Sequence, residues 1–423
     1  MEKSRYVTLV GHVQSGKTYE EINYCYKSVK NQHLPVIFIT RNIIADQLQL
    51  MSRVKEQNPE LLITTLSSLD VARAIEFMNK KAILVVLCNH HQLYKTTMIL
   101  NEYNGRYNVC IDEIDFSIKT KNVTSKIDIH LHFIKTNATS ILGATATPVA
   151  VFSNEKTVDE IRYLKPNKRY HGINDLNVEF IDSDSFEDLS AIDTVYSAFL
   201  EKSNGVLLHS VTKKKHQQYF LMNTIHTRFP SITIVVYNGD GIKVICQHTI
   251  PFQKKKSVNS YGQNIQRYHV IKNVHFFEKY SISEVLQLLV DDPNQQHTHI
   301  SIIAGYLASR GISFVSKDYS LHLTDQFFSP GKNTHGENYL QSLRILGCYQ
   351  TRSQLTLWCS ERTWKAINDH NKIINDLVKS VSHDREWITN IKNIFIQPPH
   401  SPLTRTNVNP RIRKISRQHF ALE

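Results

Sequence analysis

The sequence predicts an α/β protein of two lobes, each a mostly parallel sheet flanked by helices. Three observations carry this. Short apolar runs alternate with amphipathic stretches through residues 1–165, a polar break containing Pro166 and Gly172 interrupts the rhythm, and a second strand–helix series follows. Strands separated by helix-length segments pair in parallel, because a helical crossover returns the chain to the same edge of the sheet.

Taken in order, residues 6–10 form an apolar strand that stops at Gly11, and residues 16–28 have helical spacing. Residues 36–40 are a second strand, and 43–56 a second helix. Residues 62–65, 82–88, 109–111 and 140–143 read as further strands. In the second half, strands are expected at 205–211, 232–237, 299–304, 319–323 and 354–358, with helices at 213–226, 283–289 and 338–346. The organisation expected is a first lobe at 1–165, a connection at 166–190 and a second lobe at 191–395. Residues 241–280 fit the rhythm poorly and read as a basic inserted loop, and 396–423 as a basic, Pro-containing tail.

A chain of 423 residues with 41% hydrophobic and 21% charged residues is that of a soluble protein with real cores. Its net charge of +12 favours a polyanionic partner. The six cysteines are scattered with no CxxC pair, which argues against a disulfide framework or a zinc site and for a reducing compartment. The histidine pairs His90–His91, His130/His132 and His297/His299 lack ligand partners at metal-site spacing. The longest apolar runs are too short to cross a bilayer, and the N-terminus has no apolar leader. A cytoplasmic or nuclear location is expected.

Gly11-His12-Val13-Gln14-Ser15-Gly16-Lys17-Thr18 meets G-x-x-x-x-G-K-[ST] at every specified position, between an apolar strand and a helix. The glycines let the backbone curl so that successive N–H groups face phosphate oxygens at the positive end of a helix. Lys17 sets a cation against the β- and γ-phosphates, and Thr18 offers its hydroxyl to Mg2+. ATP with Mg2+ is therefore the expected cofactor pair.

A phosphate loop of this kind needs a carboxylate at the tip of another buried strand. Val109-Cys110-Ile111-Asp112-Glu113-Ile114-Asp115 supplies it, an apolar run stopping in acids. Asp112 would hold the metal, and Glu113 would orient or deprotonate the attacking water. Adjacent carboxylates repel, so a nearby cation is what makes the arrangement reasonable.

With these two segments the chain resembles the superfamily 2 DExx-box helicases and translocases, P-loop NTPases, from about Val7 to Arg352. The resemblance implies two RecA-like lobes and ATP hydrolysis coupled to lobe closure and strand movement. It makes Lys17, Asp112, Glu113 and Arg344 the catalytic set. Thr145-Ala146-Thr147-Pro148 is similar to the family's S/T-A-T motif, which implies motor coupling by Thr145 and Thr147. Thr40, Arg41 and Gln47 match the stretch that touches the nucleic-acid backbone, and Asn89-His90-His91 occupies a similar place. Gly305-Tyr306-Leu307-Ala308-Ser309-Arg310-Gly311 resembles the fifth motif, and Gln341-Ser342-Leu343-Arg344-Ile345-Leu346-Gly347 a shortened sixth. Arg310 and Gln341 are then implied nucleotide contacts, and Arg344 an arginine finger.

Two positions depart from the commoner sixth motif. Leu343 replaces its glycine, and Gly347 stands where a second finger is usual, leaving Arg352 or Arg310 to substitute. Nucleic acid is the implied partner, DNA ahead of RNA. Val13-Gln14-Ser15-Gly16-Lys17-Thr18 and Tyr170-His171-Gly172 are similar to helicase-like ATPases of restriction-associated endonuclease proteins. The competing expectation is a non-catalytic nucleotide- and nucleic-acid-binding switch or scaffold.

Overall fold

A computed structural model describes residues 5–114, 125–148, 159–183, 185, 187–210, 214–246, 256–258, 264–266, 268–271, 274–278, 280–293, 299–305, 312–328, 330, 337–349 and 354–381. The chain divides into two compact units, one of Met1–Pro166 with Asp369–Glu423, the other of Asn167–Asn368.

The first unit is built on seven strands: β1 (Arg5–Val10), β2 (Val36–Thr40), β3 (Ile63–Thr65), β4 (Ile83–Leu87), β5 (Asn108–Ile111), β6 (Ser140–Thr145) and β7 (Glu160–Tyr163). They lie in the order β3-β4-β2-β5-β6-β1-β7, every pair parallel. β2, β4 and β5 are buried at every residue, as near-continuous apolar runs are when helices cover both faces of a sheet.

The two-residue period of a strand sorts those runs onto the two faces. Val36, Phe38, Ile83, Val85 and Cys110 pack with Ile22 and Cys25 of α1 (Lys17–Tyr26) and Leu50 and Val54 of α2 (Ile44–Gln57). Ile37, Ile39, Leu84, Val86, Val109 and Ile111 pack against α3 (Val71–Asn79), α4 (His90–Glu102) and α5 (Lys126–Thr136). Because all seven strands run the same way, the segments after β1, β2, β4, β5 and β6 emerge at one edge, where open α/β sheets bind ligands.

The second unit holds β8 (Tyr170–His171), β9 (Leu176–Phe180), β10 (Gly205–Ser210), β11 (Thr233–Asn238), β12 (Gly241–Ile245), β13 (Lys256–Val258), β14 (Asn264–Gln266), β15 (Tyr268–Ile271), β16 (Val274–Phe277), β17 (His299–Ala304), β18 (Asp325–Phe328), β19 (Gly347–Cys348) and β20 (Leu355–Cys359). Nine of them form one sheet in the order β15-β16-β12-β11-β17-β10-β18-β20-β9. From β11 to β9 the strands are parallel; β12, β16 and β15 extend the sheet antiparallel. Leu207, Ile234, Val236, Ile303 and Phe327 pack against α6 (Leu189–Leu200) and α7 (Lys215–Arg228). Ser281 and Glu284 close a reciprocal cap on α8 (Ile282–Asp291), and α9 (Glu337–Ser342) and α10 (Glu361–Val381) complete the described helices.

Four sequence expectations change. Residues 241–280 are not simply an inserted loop: β11 and β12 form a hairpin with Asn238 opposite Gly241, and Gly241 takes a φ of 100° that suits glycine. The stretch 166–190, expected as a connection, carries β8 and β9, and β9 pairs with β20 along five residues. Of the strand expected at 319–323 only an isolated bridge from His322 to Val315 forms, closing a turn at 317–319. Asp318 accepts from the Ser320 N–H at 3.0 Å and from the Ser316 and Ser320 hydroxyls at 2.6 and 2.8 Å, and Tyr319 has a φ of 60°. The local polar bonds outcompete the ladder there. The helix expected to reach 346 stops at Ser342, where the Gln326 side chain donates to the Ser342 carbonyl at 2.8 Å and accepts from the Ile345 N–H at 3.1 Å. Among the described residues, no helix is long and apolar enough to cross a membrane.

Candidate functional site

The segment after β1 builds the first part of the site. Gly11 donates its N–H to the Thr145 carbonyl at 3.1 Å, tying the loop to the end of β6. A side chain at Gly11 would meet Ser15 Oγ at 2.8 Å and Lys17 Cγ at 3.1 Å, so the close approach requires glycine. Gly16 sits at the N-cap of α1 with φ 98° and ψ 17°, and here the backbone angle, not space, selects glycine. Gln14 and Glu113 also have positive φ, 56° and 51°. Two of the five non-glycine residues of this kind among the described residues thus fall in the two motifs, and local strain of this sort gathers at functional sites.

Lys17 is only 8% exposed. Its ammonium donates to the His12 carbonyl at 2.8 Å and the Gly11 carbonyl at 3.3 Å. His12 Nε2 meets the Tyr163 hydroxyl at 2.7 Å, and burial together with the Lys17 charge lowers the His12 pKa. Ser15 is buried with no partner for its hydroxyl. Thr18 follows Lys17 in the first turn of α1, half-buried.

β5 lies between β2 and β6, and delivers Asp112 and Glu113 to the same edge. The Asp112 N–H donates to the Ile39 carbonyl at 3.1 Å, continuing the β2–β5 ladder by one residue. Ile114, next along, is accommodated by Gly143 of β6, where an added Cβ would meet Ile114 Cδ1 at 2.2 Å. Burial, then Glu113 and Asp46, push the Asp112 carboxyl up to about 7, against the opposite pull of Arg41 and Lys17. Lys17 and Asp112 therefore share one electrostatic neighbourhood. Glu113 is buried, and its Oε2 has no hydrogen-bond partner.

One acidic residue escaped sequence reasoning. Glu21 lies one helical turn after Lys17, is fully buried, and neither carboxyl oxygen has a hydrogen-bond partner among the described residues. Its pKa is raised well above the ordinary value, by burial first and then by Asp112, with Lys17 acting the other way. The available signal was the helical period, which sets Glu21 on the Lys17 face beside apolar Ile22 and Cys25.

Thr145 and Thr147 are fully buried beside the loop, the Thr147 N–H donating to Thr145 Oγ1 at 2.9 Å. This donor set suits a magnesium–triphosphate. Burial first, and then the neighbouring carboxylates, raise the pKa values of Asp112 and Glu21, and a divalent cation would offset both effects. Among the described residues no group of three His, Cys, Asp or Glu side chains could hold a metal ion.

The expected nucleic-acid contacts lie elsewhere than on an open surface. Thr40, Arg41 and Gln47 are 1%, 6% and 3% exposed, and Arg41 pairs with Asp46. In the second unit Arg344 is buried, donating from Nη1 to the Gln341 carbonyl at 3.2 Å and from Nη2 to the Ile312 carbonyl at 2.5 Å. Gln341 is buried beside it in α9. Arg310, Arg352 and Asp115 lie outside the described residues, as do 382–423 with the basic tail.

No family model and no curated protein matches the chain. Solved structures do. The structure of S. cerevisiae Dbp5 bound to RNA and ADP BeF3 is similar with a TM-score of 0.51 at 11% identity, over 93% of this chain and 90% of that one. A variant of the same yeast protein, likewise bound, gives 0.49 at 11% identity, over 92% and 89%. A DEAD box protein from the hyperthermophile Methanococcus jannaschii gives 0.43 at 14%, over 88% and 87%. At such identities the likeness is one of fold alone: two RecA-like α/β units.

Proposed function

We propose that this chain is an ATP-dependent nucleic-acid helicase or translocase of superfamily 2. The observation that carries the reading is that Lys17 and Asp112 emerge at one edge of the first unit's sheet, near enough for the Lys17 charge to act on the Asp112 carboxyl. In this reading Gly11–Thr18 (Gly11, His12, Val13, Gln14, Ser15, Gly16, Lys17 and Thr18) hold the triphosphate. Asp112 and Thr18 hold Mg2+, which when bound supplies charge stabilisation at the phosphates. Glu113 orients and deprotonates the attacking water. Thr145 and Thr147, bonded to each other and to the phosphate loop through Gly11, are the route by which hydrolysis reaches the rest of the fold.

Nucleic acid is the proposed partner. The net charge of +12 supports it, and DNA ahead of RNA rests on the resemblance to restriction-associated ATPases. The decisive experiment measures phosphate release by purified protein alone and with single-stranded DNA, duplex DNA and RNA. Stimulation by any of them supports a motor, and the order of stimulation assigns the substrate. Arg344→Ala in the same assay should slow hydrolysis about 10³-fold if it acts as a finger.

A second reading, a nucleotide-binding switch without turnover, draws on Arg344 being held by carbonyls of its own unit. Nucleotide binding with no phosphate release under any of these conditions would favour it.

A further inference from the structure

Lys17 and Tyr19 stand two residues apart in the first turn of α1. A helix turns about 100° per residue, so Tyr19 points about 200° round from Lys17, to the other side of the axis. Burial follows that division. Lys17, Glu21, Ile22 and Cys25 are the buried residues of α1, whereas Tyr19 is 54% exposed. Its backbone is fixed all the same, the N–H closing the first turn on the Gly16 carbonyl at 3.0 Å. Among the described residues its ring stacks on no other and its hydroxyl bonds to none.

An exposed tyrosine needs no explanation by itself. This one is singled out by its place. Ser15 is 6% exposed, its hydroxyl has no hydrogen-bond partner, and it lies 2.8 Å from where a Cβ on Gly11 would stand, inside the curl of the loop. A buried, unsatisfied hydroxyl there is a sign, independent of the motif, that the curl takes a polar ligand. A triphosphate in that curl has a direction. Its terminal phosphate lies toward Lys17 and the end of β5, so the sugar and base leave on the side away from Lys17. That side of the first turn carries Tyr19.

We propose that Tyr19 is the base platform of this site, the purine of a bound nucleoside triphosphate stacking on the tyrosine ring. This rests on the nucleotide reading above and deepens it by naming what holds the base. Stacking reads the face of a base and not its edge, since every base has a π face. The site therefore takes guanine about as readily as adenine, and holds either better than a pyrimidine, whose smaller face covers less of the ring.

The test is a calorimetric titration of the full-length protein in Mg2+ with non-hydrolysable analogues of ATP, GTP and UTP, and with inorganic tripolyphosphate, which has no base. Wild type should bind the ATP and GTP analogues within about twofold of each other and the UTP analogue about fivefold more weakly. Tyr19→Ala should weaken the ATP analogue about tenfold or more and level the three bases, with tripolyphosphate held within about twofold of wild type. Tyr19→Phe keeps the ring and should restore the affinity. Tyr19→Leu keeps bulk without a π face and should stay near the alanine variant. If the alanine variant does not fold, the difference between leucine and phenylalanine makes the same comparison.

Wild-type affinity for the ATP analogue in Tyr19→Ala overturns the proposal. Joined to weaker binding of labelled single-stranded DNA or RNA, that result assigns the ring to the nucleic acid instead. An equal loss for tripolyphosphate overturns it too, because the substitution then acts on the loop and not on the base. So does a wild-type preference for adenine over guanine above about tenfold, which needs contacts to the base edge. Wild type that binds neither the analogues nor tripolyphosphate overturns the nucleotide reading itself, and this inference with it.

Discussion

The Lys17 ammonium and the His12 carbonyl oxygen stand 2.8 Å apart, so the loop's own backbone holds its cation in place. With the Gly11 carbonyl as a second acceptor at 3.3 Å, the side chain is set before any ligand arrives. Such preorganisation is what makes a fixed charge effective on a phosphoryl group. Lys17→Ala should reduce phosphate release by about 10²–10³-fold. Turnover at the wild-type rate would show that the loop is not the phosphate site.

Glu113 is placed differently from Asp112. Its backbone is left-handed, φ 51°, and its Oε2 is buried without a partner, the condition of a base held ready for a proton. Glu113→Gln keeps the size and removes the basicity. Nucleotide affinity should be unchanged while hydrolysis falls by about 10²-fold or more. A titration with labelled nucleotide beside a phosphate-release assay separates the two, and normal release would reassign the residue.

The strands of the first unit were legible because an apolar run such as residues 83–87 has only one comfortable place, inside a covered parallel sheet. Both motifs were legible because their chemistry fixes residue type and spacing together. What stayed hidden depended on side-chain partners that no motif announces. Arg41 looked like a phosphate contact, since nothing in Thr40-Arg41-Asn42 announces that Asp46 will turn the guanidinium inward. The helix after 338 looked longer because Gln326, which intercepts its last turn, comes from a neighbouring strand. The β11–β12 hairpin has its signal in Asn238-Gly239-Asp240-Gly241, a turn sequence, but the basic stretch that follows has the composition of a loop.

Glu21 tests how far function has been built at the expense of stability. Burial, and then the Asp112 charge, raise this carboxyl's pKa well above its unfolded value, which favours its protonated form in the folded protein. The folded state is then favoured below the unfolded carboxyl's pKa of about 4.3, and stability is lost as pH rises from there through the folded value. Glu21→Gln removes that loss. Its melting temperature should match wild type near pH 4 and exceed it increasingly toward pH 8. A constant difference across the range would mean that Glu21 finds a compensating partner.

His209 gives the opposite sign in the second unit. It lies fully buried on β10, stacked on Phe327 at 4.2 Å between ring centroids, with Nδ1 3.3 Å from the Tyr196 hydroxyl and Nε2 unpartnered. Burial lowers its pKa to about 3. An unfolded histidine titrates near 6.5, so below that pH the unfolded chain takes a proton that the folded unit refuses. The stabilisation is complete above about pH 6.5 and is lost at about 1.4 kcal/mol per pH unit as the pH falls toward 3. Between pH 6.5 and 5 this amounts to about 2 kcal/mol. His209→Gln removes the titration at the cost of the ring stack, so it should be less stable at pH 7.5 yet lose less on acidification. Urea midpoints of both proteins from pH 7.5 to 5 measure it, and parallel curves would mean that the imidazole takes up its proton without unfolding.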